Sequence, residues 1–129
     1  MGTKIVIRTD RAPGPFQGAP YNQAIRVCDL VFVAGQLGTS LETGQLAGPS
    51  VEEQTEQIMR NLGAILEEAG SGLDKLVKTT VFLLDLADFA GMNEVYARHV
   101  GHEPPARSTI GISALPSGAV VEIEAIAHI

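Results

Sequence analysis

The sequence has no tryptophan, a single cysteine (Cys28) and only nine Lys plus Arg residues, and none of its apolar runs approaches the ~18 residues that a membrane-spanning helix needs. A lone Cys28 cannot form a disulfide within the chain, so the thiol reads as a small, buried, reduced side chain, which favours a reducing compartment. The nine cations stand against fifteen Asp plus Glu, a formal charge of −6. They are spread thinly, with no cluster able to neutralise several phosphates, so generic nucleic-acid binding is disfavoured and an anionic ligand must be met by one placed cation. The opening stretch "MGTKIVIRTDR" alternates apolar and polar residues, unlike the continuous apolar core of a secretory signal, and position 6 lacks the Ser or Thr of a myristoylation motif. A cytoplasmic protein without a membrane partner is expected. Its 129 residues suit one domain, 1–129, that buries about two thirds of its unfolded surface.

What is present has clear periodicities. "TKIVIRT" alternates as a strand, and the Gly/Pro-rich "PGPFQGAPYNQ" that follows is an irregular connection. "AIRVCDLVFVAGQL" holds two apolar runs split at Cys28-Asp29, which predicts a hairpin. In "PSVEEQTEQIMRNLGAILEEAGSG", Ser50 and Glu53 have capping-box spacing, and Val51, Thr55, Ile58, Leu62, Ile65, Leu66 and Ala69 recur with helical period before Gly70 ends the helix. "DKLVKTTVFLLDL" reads as a strand with Val77, Val81 and Leu83 on one face and Phe82 and Leu84 on the other. A second helix fits "DLADFAGMNEVYARHVG", with Asp85 as cap, Phe89, Met92 and Tyr96 on one stripe, and an interior Gly91 that weakens it. "ARSTIGIS" and "AVVEIEAIAHI" are the last strands. The order βββαβαββ predicts an α+β domain, a six-stranded mixed sheet with two helices on one face. Two helices cover only one face of six strands, so the other face is expected to meet further copies of the chain.

Several residues could carry chemistry. Arg107 opens a strand directly after Pro104-Pro105-Ala106, so rigid neighbours fix it, and a planar guanidinium suits a carboxylate with two parallel hydrogen bonds. The structural alternative is a cross-strand ion pair with Glu122 or Glu124. Those two glutamates share one strand face, about 7 Å apart by strand rise. They fit a base and its electrostatic partner, or else the solvated face of an edge strand. Tyr21 in the Gly/Pro loop and Asn93 on the second helix are further candidate ligand contacts. His99, His102 and Glu103 straddle the end of the second helix without an obvious further ligand, so no metal site is expected. "GPFQGAP" lacks the Lys and Ser/Thr of a phosphate loop, and Ser40, Ser108 and Ser117 sit in no nucleophile elbow.

Taken in order, "APYNQAI", "VFVAGQLG", "LVKTTVFLLDLADFAGMNEVY" and "PPARSTIGISALPSGAVVEIEAIA" resemble the successive motifs of the RidA/YjgF family of reactive-intermediate deaminases, also labelled the L-PSP endoribonuclease family. The resemblance implies a chorismate mutase-like fold, a homotrimer whose three sheets enclose a barrel-like interior, and ligand clefts between subunits. It implies hydrolysis of small 2-imino acids such as 2-iminopropanoate and 2-iminobutanoate to 2-oxo acids and ammonia, a hydrolase acting on C=N bonds with neither metal nor organic cofactor. Carried over residue by residue, Arg107 matches the arginine that holds the substrate carboxylate, Glu122 the glutamate that positions the attacking water, and Tyr21 and Asn93 further cleft residues. The sequence departs from the pattern at Ala34, often a serine, at Thr109, often a cysteine, and in an extra "PGPFQG" before the tyrosine motif. The first change removes a hydroxyl and the second alters the cleft wall. Two other functions fit less of this pattern. A non-catalytic carboxylate-binding protein would share Arg107 but not need Glu122, and an endoribonuclease would need a basic groove that the charge of −6 does not supply.

Overall fold

The computed structural model describes residues 2–129. Eight main elements run β1 Ile5–Ile7, β2 Ala24–Val27, β3 Leu30–Gln36, α1 Val51–Glu68, β4 Leu76–Leu83, α2 Phe89–Val100, β5 Ala106–Gly111 and β6 Val121–His128. The strands form one sheet in the order β1-β2-β3-β6-β4-β5, antiparallel except where β5 lies parallel to β4. The α+β class, the βββαβαββ order and the six-stranded mixed sheet with two helices are therefore as expected. No described helix is long and apolar enough to cross a membrane.

Helix α1 starts where its cap predicts. The Glu53 N–H donates to Ser50 Oγ at 3.1 Å and the Ser50 N–H to Glu53 Oε1 at 3.4 Å, which satisfies donors that a helix start otherwise leaves unpaired. Its apolar stripe of Ile58, Leu62, Ile65 and Leu66 is wholly excluded from solvent against the sheet. Each such side chain contributes roughly 1.5–3 kcal/mol relative to exposure. Gly70, with φ 85°, ends the helix. Gly91 inside α2 has a packing reason. A Cβ there would stand 2.6 Å from Glu52 Oε2 and 3.0 Å from Val51 Cγ1, so the missing side chain lets the start of α1 close on α2. Further along the same contact, His99 Nε2 lies 2.8 Å from Glu56 Oε1, and Arg60 Nε donates to Glu56 Oε2 at 3.0 Å.

Four expectations change in detail. The thiol of Cys28 is exposed, because Cys28 takes φ 53° in the two-residue turn joining β2 to β3 and turn side chains stand outside the core. A register shift between Leu76 and Lys78 turns Val77 outward, so Leu76, Thr79, Val81 and Leu83 are the buried set. Leu84 falls beyond the strand and is exposed. Asp85 caps a short 3₁₀ turn, Leu86–Asp88, by accepting from the Ala87 N–H at 2.9 Å, and α2 proper begins at Phe89.

Two buried carboxamides shape the loops. Gln23 Nε2 donates to the carbonyls of Thr9, Ala12 and Pro13 at 2.9–3.2 Å while its Oε1 accepts from the Thr9 N–H at 2.7 Å. Gln54 likewise donates to Gly48 O and accepts from the Val120 N–H, both at 2.9 Å. Irregular backbone cannot satisfy itself, so these side chains do for the loops what a ladder does for strands.

Candidate active site

Arg107 and Glu122 stand on opposite faces of the sheet. Parallel pairing sets Arg107 beside Thr79, whose side chain is buried under the helices. Antiparallel pairing sets Glu122 beside Phe82 on the uncovered face. Strand β4 lies between the two, and the ion pair of Arg107 with Glu122 or Glu124, the alternative that the sequence left open, does not form. Among the described residues Arg107 belongs to no ion pair.

Aromatic rings hold its guanidinium instead. Cζ lies 5.0 Å from the ring centroid of Tyr96 and 5.5 Å from that of Phe89, both on α2. A cation over a π face is attracted electrostatically while its in-plane N–H donors stay free for an acceptor. Tyr96 is itself fixed by a buried 2.7 Å hydrogen bond between its hydroxyl and Thr79 Oγ1. Burial raises the Tyr96 phenol above its ordinary pKa, against the opposing pull first of the Thr79 hydrogen bond and then of Arg107, through its charge and its approach as a hydrogen-bond donor. Asn93, four residues after Phe89 and three before Tyr96, lies on that same helical face. Its Oδ1 is buried without a hydrogen-bond partner, a costly state for an acceptor and one that a donor would relieve. Thr109, two residues along β5 from Arg107, is half-buried on the same side.

Across the sheet, Glu122 is half-buried beside β3. At Gly35 the place of a Cβ would be 2.6 Å from Glu122 Oε2 and 2.9 Å from its carboxyl carbon. The carboxylate thus occupies the room left by the glycine. Loss of solvation first, and the neighbouring Glu124 charge second, raise its pKa above the usual carboxylate value. Tyr21 meets Gly35 across a hollow of about 240 Å³ that Phe16 and Gln36 also line, and the Tyr21 hydroxyl accepts the Phe16 N–H at 2.6 Å. A roomier hollow of about 580 Å³ lies along the 8–23 connection and also borders Tyr21; neither hollow is lined by Arg107 or Glu122, so neither within one protomer is the reactive cleft.

The four residues singled out from the sequence thus fall into two groups, Arg107 with Asn93 near the β5 edge and Glu122 with Tyr21 around Gly35. Sequence reading missed the supporting residues Thr79, Phe89 and Tyr96, and the spacer Gly35. The spacing of Phe89, Asn93 and Tyr96 at i, i+4 and i+7 was the available signal for the α2 face. His99 faces Glu56, not His102 or Glu103, and no described group of three or more His, Cys, Asp or Glu residues is arranged to hold a metal ion. Chemically, one group presents a guanidinium in no ion pair among the described residues and the other a carboxylate of raised pKa.

A family model described as Endoribonuclease L-PSP matches residues 11–129. The human 2-iminobutanoate/2-iminopropanoate deaminase is 41% identical over 122 residues, covering 95% of this chain and 88% of its own. A putative endoribonuclease L-PSP from Entamoeba histolytica superposes with a TM-score of 0.93 at 43% identity, covering 98% of this chain and all of the other. TdcF of E. coli, solved with bound serine, superposes with a TM-score of 0.89 at 36% identity over 97% of this chain and 98% of its own.

Proposed function

The chain belongs to the endoribonuclease L-PSP family, and from that premise we propose that it hydrolyses small 2-imino acids to 2-oxo acids and ammonia. The observation that carries the proposal is the Arg107 guanidinium, held against two rings and in no ion pair among the described residues. A charged group kept partly desolvated without a counter-ion suits a ligand that brings its own carboxylate. The human relative's name supports the reaction. The serine in the E. coli structure supports the ligand class, since serine shares the carboxylate and α-nitrogen of a 2-imino acid.

In this reading Arg107 takes the substrate carboxylate in two parallel hydrogen bonds. The protonated imine carbon is already electrophilic, so placement and one base suffice and no cofactor is required. Water adds its oxygen to that carbon while Glu122 accepts the proton, and the C=N electron pair moves to nitrogen. Glu122 then returns that proton to the nitrogen of the resulting carbinolamine, and as the C–N bond breaks the hydroxyl proton passes back to Glu122 while the C=O bond forms, releasing ammonia. The raised pKa of Glu122 suits it to accept a proton. Asn93 Oδ1 and Tyr21 are assigned to substrate binding.

Because Arg107 and Glu122 stand on opposite faces within one protomer, a site that contains both is assigned to the boundary between copies. The half-exposed apolar face around Phe32 and Ile110 supports such an assembly, and we assign it as a homotrimer of chorismate mutase-like subunits with barrel-like packing of the three sheets, acting in the cytoplasm. A ribonuclease reading is weaker, since nine dispersed cations within a charge of −6 offer no phosphate track. The test is turnover of 2-iminopropanoate generated in situ by an amino-acid oxidase. Wild-type protein should accelerate loss of the imine, Arg107→Ala should abolish that through lost binding, and Glu122→Gln should keep affinity for the 2-oxo acid while slowing hydrolysis. Wild-type rates in both variants would refute the assignment.

A further inference from the structure

Three observations converge on Tyr96. Thr79 on β4 is the parallel register partner of Arg107 on β5. The Thr79 hydroxyl meets the Tyr96 hydroxyl at 2.7 Å in a buried hydrogen bond between sheet and helix. The Tyr96 ring then returns to Arg107, with its centroid 5.0 Å from Cζ. The three side chains therefore close a triangle across two strands and α2. Of the two rings that flank the cation, Phe89 is 43% exposed and Tyr96 only 4%, so Tyr96 is the fixed one.

We propose that Tyr96, braced by Thr79, is a positioning residue for Arg107: the ring sets the height and plane of the guanidinium, so that its N–H edge meets a carboxylate in a fixed orientation. This rests on the assignment of Arg107 as the carboxylate anchor. A carboxylate partner could hold an arginine equally firmly, but it would consume the N–H donors that a ligand needs. A π face leaves them available. Strand β5 is an edge strand paired on one side only, so support from α2 supplies what a second neighbouring strand would give elsewhere. Tyr96 touches the anchor and not the reacting atoms, so its removal weakens binding of substrate and transition state alike and acts on KM more than on kcat.

The experiment measures KM and kcat for oxidase-generated 2-iminobutanoate, and calorimetric Kd for 2-oxobutanoate as a carboxylate probe, in the full-length chain. Tyr96→Leu removes the ring and should raise KM and Kd about tenfold with kcat within about twofold, the scale of one partly desolvated cation–π contact. Tyr96→Phe keeps the ring and should rescue most of this, leaving a rise of roughly two- to threefold. Thr79→Val should match Tyr96→Phe, and the double variant should be no worse than either, because both remove one hydrogen bond. A merely structural Tyr96 would lower the unfolding temperature while leaving KM and Kd unchanged. Wild-type KM and Kd in a folded Tyr96→Leu protein overturn the proposal. Should that variant not fold, unchanged Kd in both Tyr96→Phe and Thr79→Val overturns it as well. Arg107→Ala separates the two levels. If it too keeps wild-type Kd, the anchor assignment fails, whereas loss of binding there with none in the Tyr96 series sinks the positioning role alone.

Discussion

On one side of the sheet Val81, Leu83, Val121 and Ile123 are sealed under α1 and α2, while on the other Phe32 and Ile110 remain 43% and 45% exposed. Each face also carries one of the two charged groups assigned to the reaction, and the means of holding them differ. Arg107 is held by matter, two rings and the hydrogen bond behind one of them. Glu122 is held by a gap, the space that Gly35 leaves over β3. The covered face is closed when the chain folds, because α1 and α2 bury its apolar side chains and supply the rings against Arg107. The uncovered face has no such layer within the chain, and it leaves apolar surface and a carboxylate of raised pKa open to whatever packs there.

The largest effect that can break this comparison comes from mixing subunits. Arg107→Ala and Glu122→Gln are each expected to lower kcat/KM by about 10³-fold, the scale of a lost buried charged contact. When the two are unfolded together and refolded as a mixture, a site between copies regains activity wherever an intact Arg107 meets an intact Glu122 from another subunit. Absence of any recovery would place the two groups in one protomer's site and contradict the division by faces. Next in size, Gly35→Ala is expected to push the Glu122 carboxylate aside. The displaced atoms end a flexible side chain, so turnover should fall about 10- to 100-fold, as misplacement of a catalytic group does. The midpoint of urea denaturation should barely move.

A smaller effect follows from protons. Because the folded protein holds the Glu122 proton more tightly than the unfolded chain does, stability contributed by this group is present at low pH and declines as pH rises through its raised pKa. Glu122→Gln should therefore raise the unfolding temperature at neutral pH while it slows turnover. The acid limb of the wild-type kcat profile should lie above the usual carboxylate range. The smallest effect belongs to the helix layer. The hydrogen bond to His99, and then Arg60, hold Glu56 below its ordinary value despite the opposing desolvation. Its stabilisation is present above pH 4.5 and fades as pH falls through its lowered pKa. Glu56→Gln should cost only about 0.2–1 kcal/mol in denaturant melts, since the pair is partly exposed.

Local features were legible in the sequence wherever neighbours along the chain decide them. The Ser50 and Glu53 box, the apolar stripe of α1 and the turn at Cys28-Asp29 are settled by adjacent residues, and the structure agrees with each. Long-range pairing was not legible. Nothing in "ARSTIGISALPSGAVVEIEAIAHI" tells that β5 runs parallel to β4 and leaves β6 to the other side, yet that choice places Arg107 and Glu122 on different faces. The exposure of Val77 turns on a single register shift. For the candidate site, the residue types were readable and their grouping was not, because grouping depends on strand order. The packing reason for Gly91 needs the approach of another helix, which no local pattern encodes.

The carboxamide of Gln23 has a further consequence. Three carbonyls and one amide of the segment from Thr9 to Pro13 end on this one side chain, and the next turn is clasped separately by the Phe16 N–H on the Tyr21 hydroxyl. Two independent pins divide the connection into short closed spans, each with little entropy left to lose. Residues between the pins can be added or removed without transmitting slack to β2, so the stretch around Gly14 is a place where loop length can drift while the sheet beneath keeps its register.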